Sequence, residues 1–209
     1  MNGYIIKRSE IETLAGTDKT HFLNANARRI NKSLGDLTGL TGLGVHLIEI
    51  PPGAESTEFH VHSDEDECVY VLAGTADVDI GDKRYAVEAG DFIGYRAGGL
   101  PHSMRNTGSD TLRCLVAGQL LAFDAGDYPR QGKRIYRRAG HPPDLVEIAQ
   151  IQHPTMGGKE SGMKKPGSCP AFSCRCATPH SVSSTHLTLP SLQPSSTSAA
   201  YLSYKTQRP

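Results

Sequence analysis

A series of short apolar segments, each ended by turn residues, places the strongest constraint on how this chain folds. The segments are rich in β-branched and aromatic residues and follow one another at a spacing of roughly ten residues, which is typical of an antiparallel sandwich or barrel. They span residues 44–50, 68–74, 75–81, 83–90, 91–98, 102–108 and 111–121. Gly81 and Asp82 separate two of the segments and tolerate the positive φ of a tight hairpin turn. The pattern predicts an all-β fold.

Charge and composition change abruptly near Met156. Residues 1–155 contain 16 Lys and Arg against 21 Asp and Glu, whereas residues 156–209 contain 6 against 1. The second part is dense in Ser, Thr and Pro and follows no helix or strand period, so it is predicted to be disordered. A non-native origin of this tail, such as an alternative exon or an out-of-frame translation, stays open. Its cysteines have a C-x4-C-x-C spacing that matches no usual zinc motif.

The acidic first part is expected to contain one barrel with a segment on either side. We place an N-terminal arm at 1–39, with a candidate edge strand at 4–7, and the barrel at 40–122. A strap at 123–155 is expected to pack on the barrel and to form a short helix or strand near 145–150.

The charge balance and the absence of long apolar runs exclude several classes of protein. An acidic body gives no electrostatic reason to bind nucleic acid or an anionic membrane. The chain has neither an apolar run long enough to cross a bilayer nor the apolar core of a signal peptide, which predicts a cytoplasmic protein. Cys68 and Cys114 lie in apolar segments, where a free cysteine usually packs as a small hydrophobe. A disulfide between them stays open as the alternative.

The stretch EFHVHSDEDECVYVLAG, residues 58–74, contains the pattern with the clearest chemical meaning. On a strand, residues i and i+2 point to the same side, so His60 and His62 share a face. Glu67 begins the next strand, and His102 follows the glycine-rich turn RAGGLPH. Three imidazoles and one carboxylate can hold a first-row divalent ion (Mn, Fe, Ni, Co or Zn) and leave positions open for water or substrate.

These residues resemble the two sequence motifs of the cupin family. The first motif matches Gly53, His60, His62, Glu67 and Gly74, and the second matches Gly90, Gly99, His102 and Asn106. One extra residue lies between Gly53 and His60 and another follows Gly90, while Ala97 replaces the usual proline of the turn. The resemblance covers residues 40–121 and is strongest to small single-domain bacterial cupins. It implies a double-stranded β-helix, also called a jelly-roll barrel, with a metal ion inside.

The acidic run beside the histidines leaves the choice of carboxylate ligand to be argued. Glu67 is preferred because six residues separate it from Gly74 and because it is in phase with Val69 and Val71, which are candidates for the barrel interior. The remaining acids, Asp64, Glu65 and Asp66, are predicted to form a solvated turn, as charge runs usually do.

Further polar residues near the predicted mouth of the barrel are candidates for substrate contacts. Tyr95 and Arg96 precede the His102 turn and could bind or orient a substrate, although a rim tyrosine and a solvated arginine fit equally well. A basic cluster could recruit an anion such as a sugar phosphate, but a charged surface strap is the favoured interpretation. The cluster consists of Arg130, Lys133, Arg134, Arg137 and Arg138.

We therefore expect a metal-binding protein for a small organic molecule. The candidate reactions are isomerisation, epimerisation or cyclisation beside a carbonyl or hydroxyl, or oxygenation by O₂. A non-catalytic binding or sensing protein is the alternative, because fold alone does not select among these functions. The segment CVYVLAG is apolar on both faces, and we expect a second copy of the chain to cover its outer face in a homodimer.

Overall fold

Antiparallel strands dominate the computed structural model, which describes residues 3–155. The two α-helices are α1 (Arg8–Thr13) and α2 (Leu34–Thr38). The strands are β1 (Thr17–His21), β2 (Asn24–Ser33), β3 (Leu43–Ile50), β4 (Val61–His62), β5 (Glu67–Ala73), β6 (Thr75–Ile80), β7 (Lys83–Glu88), β8 (Phe92–Tyr95), β9 (His102–Asn106), β10 (Leu112–Gln119), β11 (Phe123–Tyr128), β12 (Lys133–Arg138) and β13 (Asp144–Glu147). Short 3₁₀ helices at Pro129–Gln131 and Ile148–Gln150 complete the order. The predicted all-β fold, a double-stranded β-helix, is confirmed.

The strands form three antiparallel sheets that together enclose the barrel. The largest has the order β1-β2-β3-β10-β5-β8, the second β13-β12-β11-β4 and the third β7-β6-β9. Backbone hydrogen bonds between His60 and His102, of 3.0 and 2.8 Å, connect the segment before β4 to the start of β9. The two smaller sheets therefore meet at a pair of histidines.

Alternation of buried and exposed side chains along β5 and β8 directs apolar residues into the barrel. In β5 the side chains of Val69 and Val71 are buried, whereas those of Tyr70 and Leu72, which alternate with them, are exposed on the outer face. Residues of this kind from both layers form one apolar core. It contains Ile48, Ile50, Ala54, Val69, Val71, Ala76, Val78, Ile93, Tyr95, Met104, Leu112 and Cys114. The predicted hairpin at Gly81 is present between β6 and β7, with φ of +57° at the glycine.

The N-terminal arm differs from its prediction. The edge strand expected at 4–7 is wrong, because these residues form a bend and an irregular segment ahead of α1. Strands occur instead at β1 and β2, which extend the largest sheet beyond β3. Most residues of these two strands are polar, so the sequence offers no apolar period that would mark them as part of a barrel.

Three further predictions concern the C-terminal tail, the two cysteines of the first part of the chain and the crossing of a membrane. The tail from Met156 onward, with its predicted disorder, lies outside the described residues. Cys68 and Cys114 are both free, the first half-buried and the second buried, which agrees with a packing role. Neither α-helix of residues 3–155 has the length and apolar character needed to cross a membrane.

Candidate metal centre

Three histidines meet where β4 and β9 approach each other. His60 and His102 are backbone partners, and their ring centroids are 4.6 Å apart. The ring of His62 lies 5.0 Å from that of His60. His60 and His102 are buried, at 7% and 3% exposure, and His62 is half-buried. The two-residue spacing that predicted a shared face is therefore observed, and β9 brings the third ring to the same place.

Glu67 reaches this group from the first position of β5. One donor atom each from His60, His62 and Glu67 lies within 4.8 Å of the other two. The structure thus brings together all four residues singled out from the sequence, although His102 contacts the group through His60 rather than within this tightest set.

Hydrogen bonds orient the three imidazoles in the same way. Nδ1 of His60 donates to the carbonyl of Glu58 at 2.9 Å, and Nδ1 of His102 donates to that of Leu100 at 3.3 Å. Nδ1 of His62 lies 2.8 Å from Oδ2 of Asp124. In a neutral ring with its proton on Nδ1, the lone pair is on Nε2. Nε2 of His102 is buried and has no partner among the described residues, as expected for an atom kept for a ligand outside the chain.

The electrostatic surroundings favour neutral histidines. Burial lowers the pKa of His60 to about 3, and the neighbouring His102 and His62 act in the same direction. Burial lowers the pKa of His102 to about 4. Burial raises the pKa of Glu67, although the charges of His62 and Arg29 oppose this shift. Neutral imidazoles and a carboxylate that a nearby cation would ionise form a donor set that fits a divalent metal ion.

Glu65 of the acidic run differs from its prediction, because its side chain is buried. The prediction of a solvated turn agrees with the exposure of Asp64 and Asp66 but is wrong for Glu65, which is only 5% exposed. Its carboxylate accepts hydrogen bonds from Arg137 and from the backbone of Leu121. Ion pairing with the half-buried Arg137, which no local pattern shows, compensates the burial of this acid.

Asp124 is a site residue that the sequence analysis missed. It is fully buried in β11 and accepts hydrogen bonds from His62, from Arg137 and from the backbone of Asp64. Burial acts to raise the pKa of Asp124, but the hydrogen bonds from His62 and Arg137 outweigh it and the pKa is lowered. His62, Glu65 and Asp124 also lie close enough to hold an ion. Arg137 already pairs with both carboxylates and offsets part of their charge, which makes this group less suited to a dication.

The structure separates the two candidate substrate contacts. Tyr95 is buried and stacks on His102, with ring centroids 3.5 Å apart and planes inclined by 3°. Arg96 is exposed and does not line the cavity that contains the histidines. Tyr95 therefore supports the His102 ring, and Arg96 matches the alternative of a solvated arginine.

The basic cluster of the strap is neutralised by nearby carboxylates. Arg130 pairs with Asp79, Lys133 with Glu147, Arg134 with Asp127, Arg137 with Glu65 and Asp124, and Arg138 with Asp144. Because every cation of the cluster has an acidic partner, the arrangement favours the charged strap over a site for an anionic substrate.

The four candidate ligands open into a cavity of about 310 Å³. Tyr128 lines the same cavity, and burial raises the pKa of its hydroxyl to about 12. The wall opposite the smaller sheets comes from the inner face of the largest sheet, including β1 and β2. A space of this size and shape suits a small polar molecule.

Comparisons with known proteins agree with this geometry. The model of the family described as "Cupin domain" matches residues 46–118. A search of curated proteins found no match. Two of the solved structures that resemble the chain are matched over more than nine tenths of their own length.

The first is a protein of Acidithiobacillus ferrooxidans that is provisionally assigned as a sugar phosphate isomerase. It is 45% identical, with a TM-score of 0.70 over 73% of this chain and 97% of that one. The second is a protein of Silicibacter pomeroyi that is described as a sugar phosphate isomerase of a cupin superfamily. It is 25% identical, with a TM-score of 0.62 over 70% of this chain and 94% of that one.

Proposed function

Because the chain belongs to the cupin superfamily, we propose that it is a metal-dependent isomerase that acts on a phosphorylated sugar. The observation that carries the proposal is the set of His60, His62, His102 and Glu67 around one cavity, with the three Nδ1 atoms engaged by outer acceptors. The names of the two similar structures support the substrate class.

The residues of the cavity have distinct parts in such a reaction. A divalent ion held by His60, His62, His102 and Glu67 would supply Lewis-acid chemistry at a carbonyl or hydroxyl oxygen of the substrate. The carboxylate of Glu67 adds negative charge to the neutral histidines and so favours binding of a cation. The hydroxyl of Tyr128 keeps its proton at neutral pH and can donate a hydrogen bond to a substrate oxygen. The buried walls restrict the access of water to the reacting atoms.

The proposal is tested by metal analysis together with a substrate panel. Protein loaded with Mn, Fe, Ni, Co or Zn should bind about one ion per chain and interconvert aldose and ketose phosphates. His62→Ala should lose the ion and at least about 100-fold of the activity, because an essential donor atom is removed. Asp64→Ala is the matched control. The Asp64 side chain is exposed, and the backbone N–H of residue 64 can still donate to Asp124 in the variant.

Other outcomes would identify a different function. Loaded protein that binds phosphorylated sugars without converting them would be a non-catalytic binding protein, and oxygen consumption would indicate an oxygenase. If Asp64→Ala lost the ion while Glu67→Ala kept it, the choice of carboxylate would be wrong. If His62→Ala and His102→Ala both bound metal as the parent does, there would be no metal centre at this place.

A further inference from the structure

Two cations face each other across the N-terminal hairpin. Lys19 of β1 and Arg29 of β2 are register partners in the antiparallel ladder, and both line the cavity of the histidines. Like charges directly opposite each other on neighbouring strands destabilise a sheet. The arrangement therefore costs free energy in the absence of an anion that both residues can contact.

Neither cation has an acidic partner of its own. Within residues 3–155, no carboxylate oxygen lies within 4.0 Å of the Lys19 ammonium or of the Arg29 guanidinium. The guanidinium donates to the backbone carbonyl of Ser56, and its Nε is buried without a hydrogen-bond partner. The strap provides the contrast, because all five of its basic residues are paired with carboxylates. Of the three cations that line the cavity, Arg137 is therefore paired with carboxylates, whereas Lys19 and Arg29 have no direct carboxylate partner and Arg29 interacts with Glu67 only through its charge.

Two further histidines on the same wall present hydrogen-bond donors. Nδ1 of His21 accepts a hydrogen bond from the backbone N–H of Leu23 at 3.2 Å. Nδ1 of His46 lies 3.2 Å from the amide nitrogen of Asn31, which donates to it. When Nδ1 of a neutral imidazole accepts a hydrogen bond, the ring proton is on Nε2. This tautomer is opposite to that of the three candidate metal ligands, so one part of the cavity offers lone pairs and another offers N–H donors.

We propose that Lys19 and Arg29 form a subsite for the phosphoryl group of the substrate, with His21 and His46 as additional donors. This inference rests on the proposed function and names how the same cavity takes a phosphate monoester. A dianionic phosphoryl group has several acceptor oxygens, which a guanidinium and an ammonium can share. It would also relieve the repulsion between the two cations.

The arrangement of the sheet makes one substrate able to occupy both parts of the cavity. Arg29 in β2 and Glu67 in β5 are separated by β3 and β10 in the strand order. Three strand spacings correspond to about 14 Å along a flat sheet, and the curvature of the barrel shortens the direct path. A sugar phosphate bound at Lys19 and Arg29 would therefore extend its sugar toward the histidines.

The experiment compares metal-loaded wild-type protein with Lys19→Met and with Arg28→Met. Arg28 precedes Arg29 in β2 but is exposed and does not line the cavity, which makes it a matched control for charge. Binding of inorganic phosphate is measured by titration calorimetry, and metal content and melting temperature are measured in parallel. Lys19→Met should weaken phosphate binding by about tenfold or more, since a charge-assisted hydrogen bond is lost, whereas Arg28→Met should leave it within about twofold.

A second variant separates binding from folding. Lys19→Glu places a carboxylate opposite Arg29, so it should abolish phosphate binding and the increase in melting temperature that phosphate produces, while the metal content stays at the wild-type value. Wild-type protein that binds no phosphate, or equal phosphate affinities in wild type and Lys19→Met, would overturn the subsite. Conversely, phosphate binding that depends on Lys19 in a protein without isomerase activity would leave the subsite in place and refute only the proposed reaction.

Discussion

The partner of Nδ1 decides what each imidazole in the cavity can do. Rings with a carbonyl or carboxylate at Nδ1, such as His60 and His62, keep a lone pair on Nε2 and suit a metal ion. Rings with a donor at Nδ1, such as His21 and His46, keep a proton on Nε2 and suit an anion. Five chemically identical side chains thus divide between two tasks because of the hydrogen-bond partner of each Nδ1 atom.

Asp124→Asn tests whether the outer hydrogen bond matters for metal binding. The substitution removes the negative charge that orients His62 and holds Arg137, so we expect metal affinity to fall by about 10- to 100-fold. A competition titration with a chromophoric chelator measures the affinity. Asp127→Asn is the control, because Asp127 lies on the same strand but pairs with Arg134. Equal affinities in the two variants would contradict the orienting role of Asp124.

The low pKa of His60 predicts how the stability of the metal-free protein depends on pH. The folded-state pKa is about 3 because of burial, whereas the unfolded chain titrates near 6.5. Between these two pH values the unfolded state therefore binds more protons than the folded state. The stability that neutral, buried His60 contributes is fully present above about pH 6.5 and is lost as the pH falls toward 3.

Urea unfolding at pH 7 and pH 5 tests this dependence. Between pH 7 and pH 5 the free energy of unfolding of the wild type should fall by about 1–2 kcal/mol more than that of His60→Asn, because each pKa unit corresponds to about 1.36 kcal/mol. His141→Asn, which changes an exposed histidine, should behave as wild type. The opposite shift of Glu67 is common to all three proteins and cancels in the comparison. Parallel losses in wild type and His60→Asn would show that His60 is not buried in its neutral form.

The junction of β5 and β6 depends on a residue without a side chain. Gly74 has φ of +92°, and a Cβ atom there would lie 3.0 Å from Cα of Leu112. Gly74→Ala combines an unfavourable backbone conformation with a clash against the fully buried Leu112, so we expect a loss of about 2–4 kcal/mol in the free energy of unfolding. Gly39 has φ of +75° but open space around it, and Gly39→Ala should cost only about 1 kcal/mol. Similar losses for both in urea unfolding would exclude the contact with Leu112 as a cause.

The outer face of the largest sheet bears on how the molecule assembles. Tyr70 and Phe92 are register partners on β5 and β8, and they remain 43% and 66% exposed. Leu72, at 44% exposure, continues this apolar surface. Surfaces of this kind are usually covered by a partner, and we expect a second copy of the chain in a two-fold symmetric dimer.

Light scattering at micromolar concentration measures this assembly. Wild type should have the mass of a dimer, and Phe92→Glu should be a monomer because a charge would be buried in the interface. Tyr85→Glu, at another exposed aromatic residue on β7, should remain a dimer. A monomeric wild-type protein would refute the prediction.

Local periodicity predicted an antiparallel sandwich or barrel and the shared face of His60 and His62, whereas the double-stranded β-helix was implied by the resemblance to the cupin motifs. The apolar alternation of β5, the turn at Gly81 and the two-residue spacing of His60 and His62 are properties of consecutive residues. A strand has a side-chain period of two whatever its neighbours are, so these features could be read from the chain itself.

Only the tertiary structure decided which residues support the candidate centre and what faces it. Asp124 lies 62 positions from the histidine that it orients, and Arg137 lies 72 positions from Glu65. Lys19 and Arg29 belong to strands of mostly polar residues, whose sequence gives no sign that these two side chains line a cavity. A sequence pattern indicates which side of a strand a residue occupies. What lies on that side is determined by the pairing of distant strands, because the free energy of pairing comes from contacts between segments that are far apart in the chain.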